Sequence, residues 1–322
     1  LKHGLTRGLL LAGAMVMGFA ASAQTFPSKA VRIVVPFGAG GVADLTARTV
    51  GQKLSESLGQ PVVIENKPGA GGIVAGEAVA KAEPDGHTLL LMSNGTAVSA
   101  GMFKSLPFDA VKDFSPISTL GFFDIAIVTP AESRFKTLGE LLAFAKANPG
   151  KLNLGTINIG STQNLAAELF QTTSGVDMQI VPFNGTPAVI TALRGGQIDA
   201  AVEILGPVLP QINAKALRAL AVTGEKRAAV LPDVPTAKES GLPTFVASSW
   251  NALAAPAKTP KDVIARLNKE IAAALSSPDV KKKLHDLNVE AYASTPEQAS
   301  ELLSSEIKRW GAVIVRAKIP QQ

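Results

Sequence analysis

A glycine-rich loop between an apolar run and a helical segment constrains this chain more than any other feature. Val31–Val35 is a short apolar run that predicts a buried strand, and Pro36 ends it. The loop Gly38–Gly41 follows, and a helix is predicted from about Val42 to Leu58. Such a loop turns the unpaired N–H groups of a helix N-terminus outward, where the helix dipole favours an anion. It predicts either a carboxylate or phosphate site or a plain connection between strand and helix.

Strands and helices alternate after this unit. Pro61–Glu65 and Thr88–Met92 predict further strands, with a helix at about Ile73–Ala82 between them. Three buried strands that alternate with helices predict a parallel α/β sheet. Ligands of such sheets bind beyond the carboxyl ends of the strands, where Gly38–Gly41 and Ser93–Thr96 are both expected.

A second α/β run follows the largely apolar stretch Ile117–Pro130, which predicts one or two strands. In this run Leu152–Thr156 predicts a strand, and Gly160–Asn164 opens a helix. That opening is a second candidate anion site, or an ordinary cap supplied by its hydroxyl groups. Thr186 is expected to cap a later helix, ahead of Pro187. Two α/β runs predict two lobes.

The composition excludes several classes of protein. The chain has 46% hydrophobic and 18% charged residues, so a sizeable core is expected. It has no cysteine, which excludes thiol catalysis and Cys-ligated metals. No cluster of basic and aromatic residues predicts nucleic-acid binding, and Lys281–Lys283 is expected to be a solvated helix face. Neither a metal nor a cofactor is expected.

Residues 1–23 predict a signal peptide. Lys2 and Arg7 supply a positive start, Leu9–Ala20 is apolar, and Ala21-Ser22-Ala23 fits a cleavage site. A transmembrane anchor is the alternative, but the apolar run is short for a bilayer, which needs about 20 residues. The sequence therefore predicts export and cleavage after Ala23.

The glycine loop also permits an enzymatic interpretation. Gly38–Ala43 fits the G-x-G-x-x-G/A pattern of dinucleotide-binding loops, and Glu65 ends the next predicted strand. An NAD(P)-dependent oxidoreductase is therefore the alternative function. The export signal, the intervening Pro36-Phe37 and the lack of an evident acid/base set argue against it.

Three acidic residues have two interpretations each. Asp44 lies on the first turn of the first helix, where it either complements the helix dipole or orders the loop. Asp124 and Glu203 lie inside apolar strands and need partners there. They are either ligand contacts or paired structural groups, and the structural role is favoured.

Several longer motifs carry a family resemblance in order and spacing. They are VPFGAGGVADLTAR (35–48), VVIENKPGAGGIVAG (62–76), PDGHTLLL (84–91), VPFNGTPAVITALRGGQID (181–199), LPDVPTAKESGLP (231–243) and AAPAKTP (254–260). On these motifs the chain resembles the substrate-binding proteins of tripartite tricarboxylate transporters, the Bug family of periplasmic solute receptors.

The resemblance implies an α/β, two-lobed type II periplasmic binding fold with the ligand cleft between the lobes. It implies that residues 24–123 and 247–322 form lobe 1 and that residues 124–246 form lobe 2. It further implies a monomeric receptor for a small organic acid, with a permease of the transporter or a sensor kinase as its partner.

In relatives, main-chain N–H groups and waters hold a ligand carboxylate. The loops concerned match Gly38–Asp44 and Gly160–Asn164, while Ser93–Thr96 and Phe183–Ala188 line the cleft. With the two strand acids added as candidates, the residues predicted to contact the ligand are Phe37, Gly38, Ala39, Gly40, Gly41, Asp44, Ser93, Asn94, Thr96, Asp124, Gly160, Ser161, Thr162, Asn164, Phe183, Asn184, Gly185, Ala188 and Glu203.

Three positions depart from the family pattern. Asn164 stands where relatives often have histidine, and Phe183 where they often have tyrosine. Asp124 stands where many relatives have an uncharged residue, which suggests pairing with a ligand amine. The resemblance leaves the identity of the acid open.

Overall fold

The computed structural model describes residues 26–316 and 318–322, so the predicted signal peptide lies outside the described residues. The strands are β1 (Val31–Val35), β2 (Val62–Asn66), β3 (Thr88–Ser93), β4 (Phe114–Pro130), β5 (Asn153–Ile157), β6 (Gln179–Phe183), β7 (Ala200–Ile204), β8 (Leu217–Val222), β9 (Ser248–Pro256) and β10 (Val289–Ala291). The helices are α1 (Val42–Leu58), α2 (Ile73–Ala80), α3 (Asn94–Met102), α4 (Leu138–Ala147), α5 (Thr162–Ser174), α6 (Thr186–Arg194), α7 (Leu205–Asn213), α8 (Lys261–Ser276), α9 (Pro278–Asp286) and α10 (Pro296–Arg316).

The strands form one curled sheet in the order β2-β1-β3-β9-β4-β7-β5-β6, with β8 and β10 also paired to β4. β1 pairs in parallel with β2 and β3, and β5 pairs in parallel with β6 and β7. We call β1–β3, β9, β10 and the start of β4 the first half-sheet. The second half-sheet is β5–β8 with the end of β4. The predicted α/β class and two-part organisation are confirmed.

Strand β4 connects the two half-sheets. It pairs with β9 from Phe114 to Asp124 and with β7 and β8 from Ile125 onward. The stretch expected to give one or two strands is therefore a single strand of 17 residues. Its register shifts beside Pro116, as expected for a proline that cannot donate to the strand ladder.

The core lies on both faces of the sheet. Val31, Ile33 and Val35 pack in one hydrophobic cluster, whereas Val34 packs in the other, because successive strand residues point to opposite faces. Each cluster continues through both half-sheets. Inner strands such as β3 and β7 are thus buried on both faces, which explains their nearly continuous apolar runs, whereas the edge strands β2 and β6 are only partly buried.

One helix was not predicted, and one local prediction is wrong. Helix α3 begins directly after Ser93, whose hydroxyl accepts the N–H of Gly95 while Thr96 Oγ1 accepts the N–H of Ser93. Thr186 is not the N-cap of α6, because Gly185 holds that position and Thr186 is the first helical residue. The predicted solvated face at Lys281–Lys283 lies on α9, where all three lysines are exposed.

Candidate functional site

A cavity lies between the two half-sheets, where the N-termini of α1, α5 and α6 meet strands β4 and β9. Its empty volume is about 390 Å³, including its opening to solvent. Six of the residues predicted to contact a ligand line it: Phe37, Gly38, Gly41, Ser93, Thr162 and Gly185. Four further lining residues lie within the predicted loops without having been singled out: Val42, Ala43, Gln163 and Thr186. Five lining residues were not predicted: Phe123, Ile157, Ile204, Ser249 and Asn251.

The first residues of α1 line this cavity, and the helix N-terminus is directed toward it. Gly41 is the N-cap of α1 and supplies no side-chain cap to the first turn. Gly41, Val42 and Ala43 all line the cavity. The positive end of the helix therefore points at the cavity, where it favours a negatively charged group.

Asp44 holds the loop in front of α1. Its carboxylate accepts the N–H of Gly40 at 2.9 Å and ion-pairs with Arg48 at 2.9 Å. Gly40 has φ +83°, a conformation that favours glycine. Burial opposes ionisation of Asp44, but Arg48 and the Gly40 N–H outweigh it and hold the pKa of this carboxyl below its usual value. Asp44 orders the loop and is absent from the cavity lining.

Arg48 extends this support to the next strand. Its guanidinium also donates to Asn66 Oδ1 at 3.2 Å, and Asn66 Nδ2 donates to the Phe37 carbonyl at 3.0 Å. The glycine loop is thus tied at Phe37 and at Gly40 through one chain of polar contacts. The loop is held by the protein itself, so it is ordered for binding in advance.

The start of α5 faces the cavity from the second half-sheet. Ser161 caps α5 by accepting the N–H of Asn164, which satisfies one of its first donors. Thr162 Oγ1 lies 3.2 Å from Ser249 Oγ, a contact that joins α5 to β9. Asn164 does not line the cavity, and its Nδ2 donates to Thr156 Oγ1 at 3.4 Å. Ser161 is therefore the ordinary cap of this helix start, and Thr162 is its predicted residue that lines the cavity.

Glu203 lies directly behind the cavity wall and is completely buried. Its Oε2 accepts from Thr186 Oγ1 at 3.0 Å, from the Ile204 N–H at 3.2 Å and from Gln163 Nε2 at 3.5 Å. All three partners line the cavity. Burial raises the pKa of the Glu203 carboxyl to about 7, against the lowering effect of these bonds. Glu203 therefore positions lining residues and does not itself line the cavity.

The other predicted contacts lie outside the cavity lining. The Asn94 carboxamide is fully buried and accepts the indole N–H of Trp310 at 2.7 Å. Asp124 lines a different pocket, beside His285 and Asn288, and burial raises the pKa of its carboxyl. The remaining predicted residues outside the cavity lining are Ala39, Gly40, Thr96, Gly160, Phe183, Asn184 and Ala188.

The two sides of the cleft touch directly. A Cβ added to Gly38 would lie 2.7 Å from the Asn184 carbonyl oxygen, and one added to Gly40 would lie 3.2 Å from Pro187 Cγ. The Ser99 hydroxyl donates to the Gly71 carbonyl at 2.6 Å and to the Gly160 carbonyl at 3.4 Å. The cleft is therefore closed in this structure.

The cavity wall is uncharged. No lysine, arginine, histidine, aspartate or glutamate of the described residues lines it. Glu65, which the dinucleotide interpretation requires, forms ion pairs with Arg32 and Lys67 at 3.0 and 2.8 Å. No group of three potential metal ligands is found within residues 26–316 and 318–322. In the same residues, every helix is too short or too polar to span a bilayer.

Comparison with known proteins agrees with this architecture. Residues 46–319 match the model of the tripartite tricarboxylate transporter family receptor. The chain is 36% identical to BugT of Bordetella pertussis over 316 residues, which cover 96% of this chain and 97% of BugT.

Two solved structures with bound acids are also similar. MatC (Rpa3494) from Rhodopseudomonas palustris with bound malate has a TM-score of 0.86 and 34% identity, covering 90% of this chain and 100% of MatC. R. palustris Rpa4515 with adipate has a TM-score of 0.88 and 31% identity, covering 92% of this chain and 99% of Rpa4515. With this match in sequence and in the two-lobed fold, the chain belongs to the tripartite tricarboxylate transporter receptor family, whose members are solute-binding receptors.

Proposed function

We propose that this protein is a monomeric, non-enzymatic periplasmic receptor that captures a small organic acid in the cavity and presents it to a membrane permease. The observation that carries this proposal is the start of α1, which faces an uncharged cavity without a side-chain cap. A ligand carboxylate would accept main-chain N–H bonds there without any cationic side chain. The malate and adipate bound to two similar proteins support this ligand class.

The lobes in this proposal are residues 24–123 with 247–322, and residues 124–246. The two lobes move about the two segments that connect them, near Phe123 and Ala247. Closure excludes water, which strengthens each polar contact with the ligand. It also forms the contact surface that a permease recognises, and a sensor kinase is the alternative partner for that surface.

A thermal-shift screen tests this function. The mature protein, Gln24 onward, is refolded to remove captured solute and mixed with malate, adipate, succinate, citrate, glutamate, benzoate, nicotinate and NAD(P). A ligand at 100 times its dissociation constant stabilises a protein by about 2.7 kcal/mol, or a few degrees for a chain of this size. Stabilisation by carboxylates supports the receptor. Stabilisation by NAD(P) alone would overturn it in favour of the oxidoreductase.

A further inference from the structure

Ser249 and Asn251 present two polar side chains to the cavity from β9. They lie two residues apart on the strand, so their side chains lie on the same face. The Ser249 hydroxyl is paired with the Thr162 hydroxyl at 3.2 Å. Asn251 is 0% exposed, and neither its Oδ1 nor its Nδ2 has a hydrogen-bond partner among the described residues.

The main-chain N–H and C=O groups of Asn251 belong to the strand pairing of the sheet. β9 lies between β3 and β4, and Asn251 is in register with Ser93 on one side and with Gly121 on the other. What this residue offers to the cavity is therefore its carboxamide. A buried polar group without a partner costs free energy. An unsatisfied carboxamide that lines a closed cleft is thus explained most simply by a ligand group that satisfies it.

We propose that Asn251 is a specificity-determining residue that binds a hydroxyl group of the captured acid. The inference rests on the proposed function and narrows its ligand class to small hydroxy acids. A carboxamide has both a donor and an acceptor, and a hydroxyl group matches both. A methylene group would match neither, and a carboxylate would only accept, leaving Oδ1 without a donor.

The rest of the cavity wall fits this assignment. The cavity lacks cationic side chains in the described part of the chain, and a neutral hydroxyl needs none. Phe37, Phe123 and Ile157 supply apolar surface along the same cavity, which suits the carbon skeleton of a small acid.

Calorimetric titration with matched probes tests the inference. The pairs are succinate and malate, glutarate and 2-hydroxyglutarate, and butyrate and 3-hydroxybutyrate, which differ by one hydroxyl group. We expect the wild-type protein to bind the hydroxylated member at least about tenfold more tightly. Asn251→Leu and the smaller Asn251→Ala should reduce this ratio to below about threefold while they still bind the unhydroxylated member.

Asn268→Leu is the matched control. Asn268 is a paired asparagine, whose Nδ2 donates to the Ile117 and Ser294 carbonyls at 2.8 Å each, and it does not line the cavity. This variant should keep the hydroxyl preference. An unchanged preference in both Asn251 variants would overturn the inference and leave the receptor standing. Binding of no probe by the wild-type protein would overturn the proposed function and this inference together.

Thermal stability without added solute provides a second readout. Asn251→Leu and Asn251→Ala should not lower the melting temperature through lost hydrogen bonds, because the carboxamide has no protein partner. Asn268→Leu removes two bonds and should lower it by several degrees. If both Asn251 variants destabilise the protein as strongly as Asn268→Leu, Asn251 is a structural residue and the inference is wrong.

Discussion

Gly38 and Asn184 meet across the cleft so closely that a Cβ atom on Gly38 would lie 2.7 Å from the Asn184 carbonyl oxygen. Gly38 precedes α1 and Asn184 precedes α6, so the contact joins the loops of the two half-sheets. Both loops lie at the carboxyl ends of strands. Closure of the receptor thus requires that position 38 have no side chain.

Gly38→Ala is expected to weaken ligand binding by about tenfold or more, because the closed state loses population when the loops collide. The fold should be unaffected, since Gly38 does not need a positive φ. Titration with malate and adipate measures the loss. Gly311→Ala is the control, because its Cβ would meet no atom within 4 Å. Equal affinity of Gly38→Ala and wild type would show that ligand binding does not require the close contact between Gly38 and Asn184.

Asp44→Ala should release the glycine loop. The variant loses the bonds to the Gly40 N–H and to Arg48, so we expect the free energy of unfolding to fall by about 1 to 3 kcal/mol. Affinity for small carboxylates should fall as well, because the loop is no longer ordered in advance. Urea unfolding and calorimetry measure the two effects.

The contribution of Asp44 to the free energy of unfolding depends on pH. The folded pKa of Asp44 lies below its ordinary value of 3.8, so the contribution is complete above that value and is lost as pH falls through the folded pKa. Arg32→Met, which breaks an exposed ion pair with Glu65, is the control and should change affinity little. Unchanged binding in Asp44→Ala would show that the loop needs no support.

Glu203→Gln should alter the pH dependence of stability. Burial raises the pKa of this carboxyl from 4.5 to about 7 in the folded protein. The folded state therefore holds the proton more tightly, and the Glu203 contribution to stability falls as pH rises from about 4.5 through 7. The full loss is about 3 kcal/mol.

The glutamine variant removes this titration and keeps acceptor capacity for Thr186. Urea unfolding between pH 5 and pH 8 should show a flatter dependence and a more stable protein at pH 8. Glu301→Gln, at an exposed position of α10, should keep the wild-type dependence. Identical profiles for Glu203→Gln and wild type would show that Glu203 titrates normally.

Trp310→Phe should loosen the attachment of α10. The indole N–H donates to Asn94 Oδ1 at 2.7 Å and to Glu306 Oε2 at 2.9 Å. Its loss leaves the buried Asn94 acceptor unsatisfied, which we expect to cost about 1 to 3 kcal/mol of unfolding free energy. Chemical unfolding measures this loss. A double variant with Asn94→Ala should show non-additive effects if the two residues act through this bond.

Much of the fold could be predicted from the sequence because local signals agree with the tertiary structure. β1 and α1 have the predicted bounds, and the two α/β runs correspond to the two half-sheets. The start of α3 was missed because its cap uses Thr96 where a capping box usually has glutamate or glutamine. Thr186 was assigned to the N-cap because its hydroxyl suits that position, but burial beside Glu203 gives it another partner.

The candidate site was harder to predict, because a sequence motif marks the glycine loops and no motif marks the β9 residues that line the cavity opposite them. Gly38 and Gly41 were found from their motif. Ser249 and Asn251 were missed, although two polar residues at alternate positions of an apolar strand were a usable signal. Their position in the cavity depends on β9 pairing with β3 and β4, a long-range arrangement that no local pattern encodes.

In the proposed function, main-chain N–H groups of this cleft bind a carboxylate. Calorimetric titration of refolded wild-type protein with malate and adipate, beside malamide and adipamide, measures whether the carboxylate is required. The diamides match the acids in size but carry no charge and bring N–H donors that the α1 terminus cannot accept. We predict that at least one acid binds and that its diamide binds about 100-fold more weakly or not at all. Equal affinity for acid and diamide would show that the cleft does not select a carboxylate.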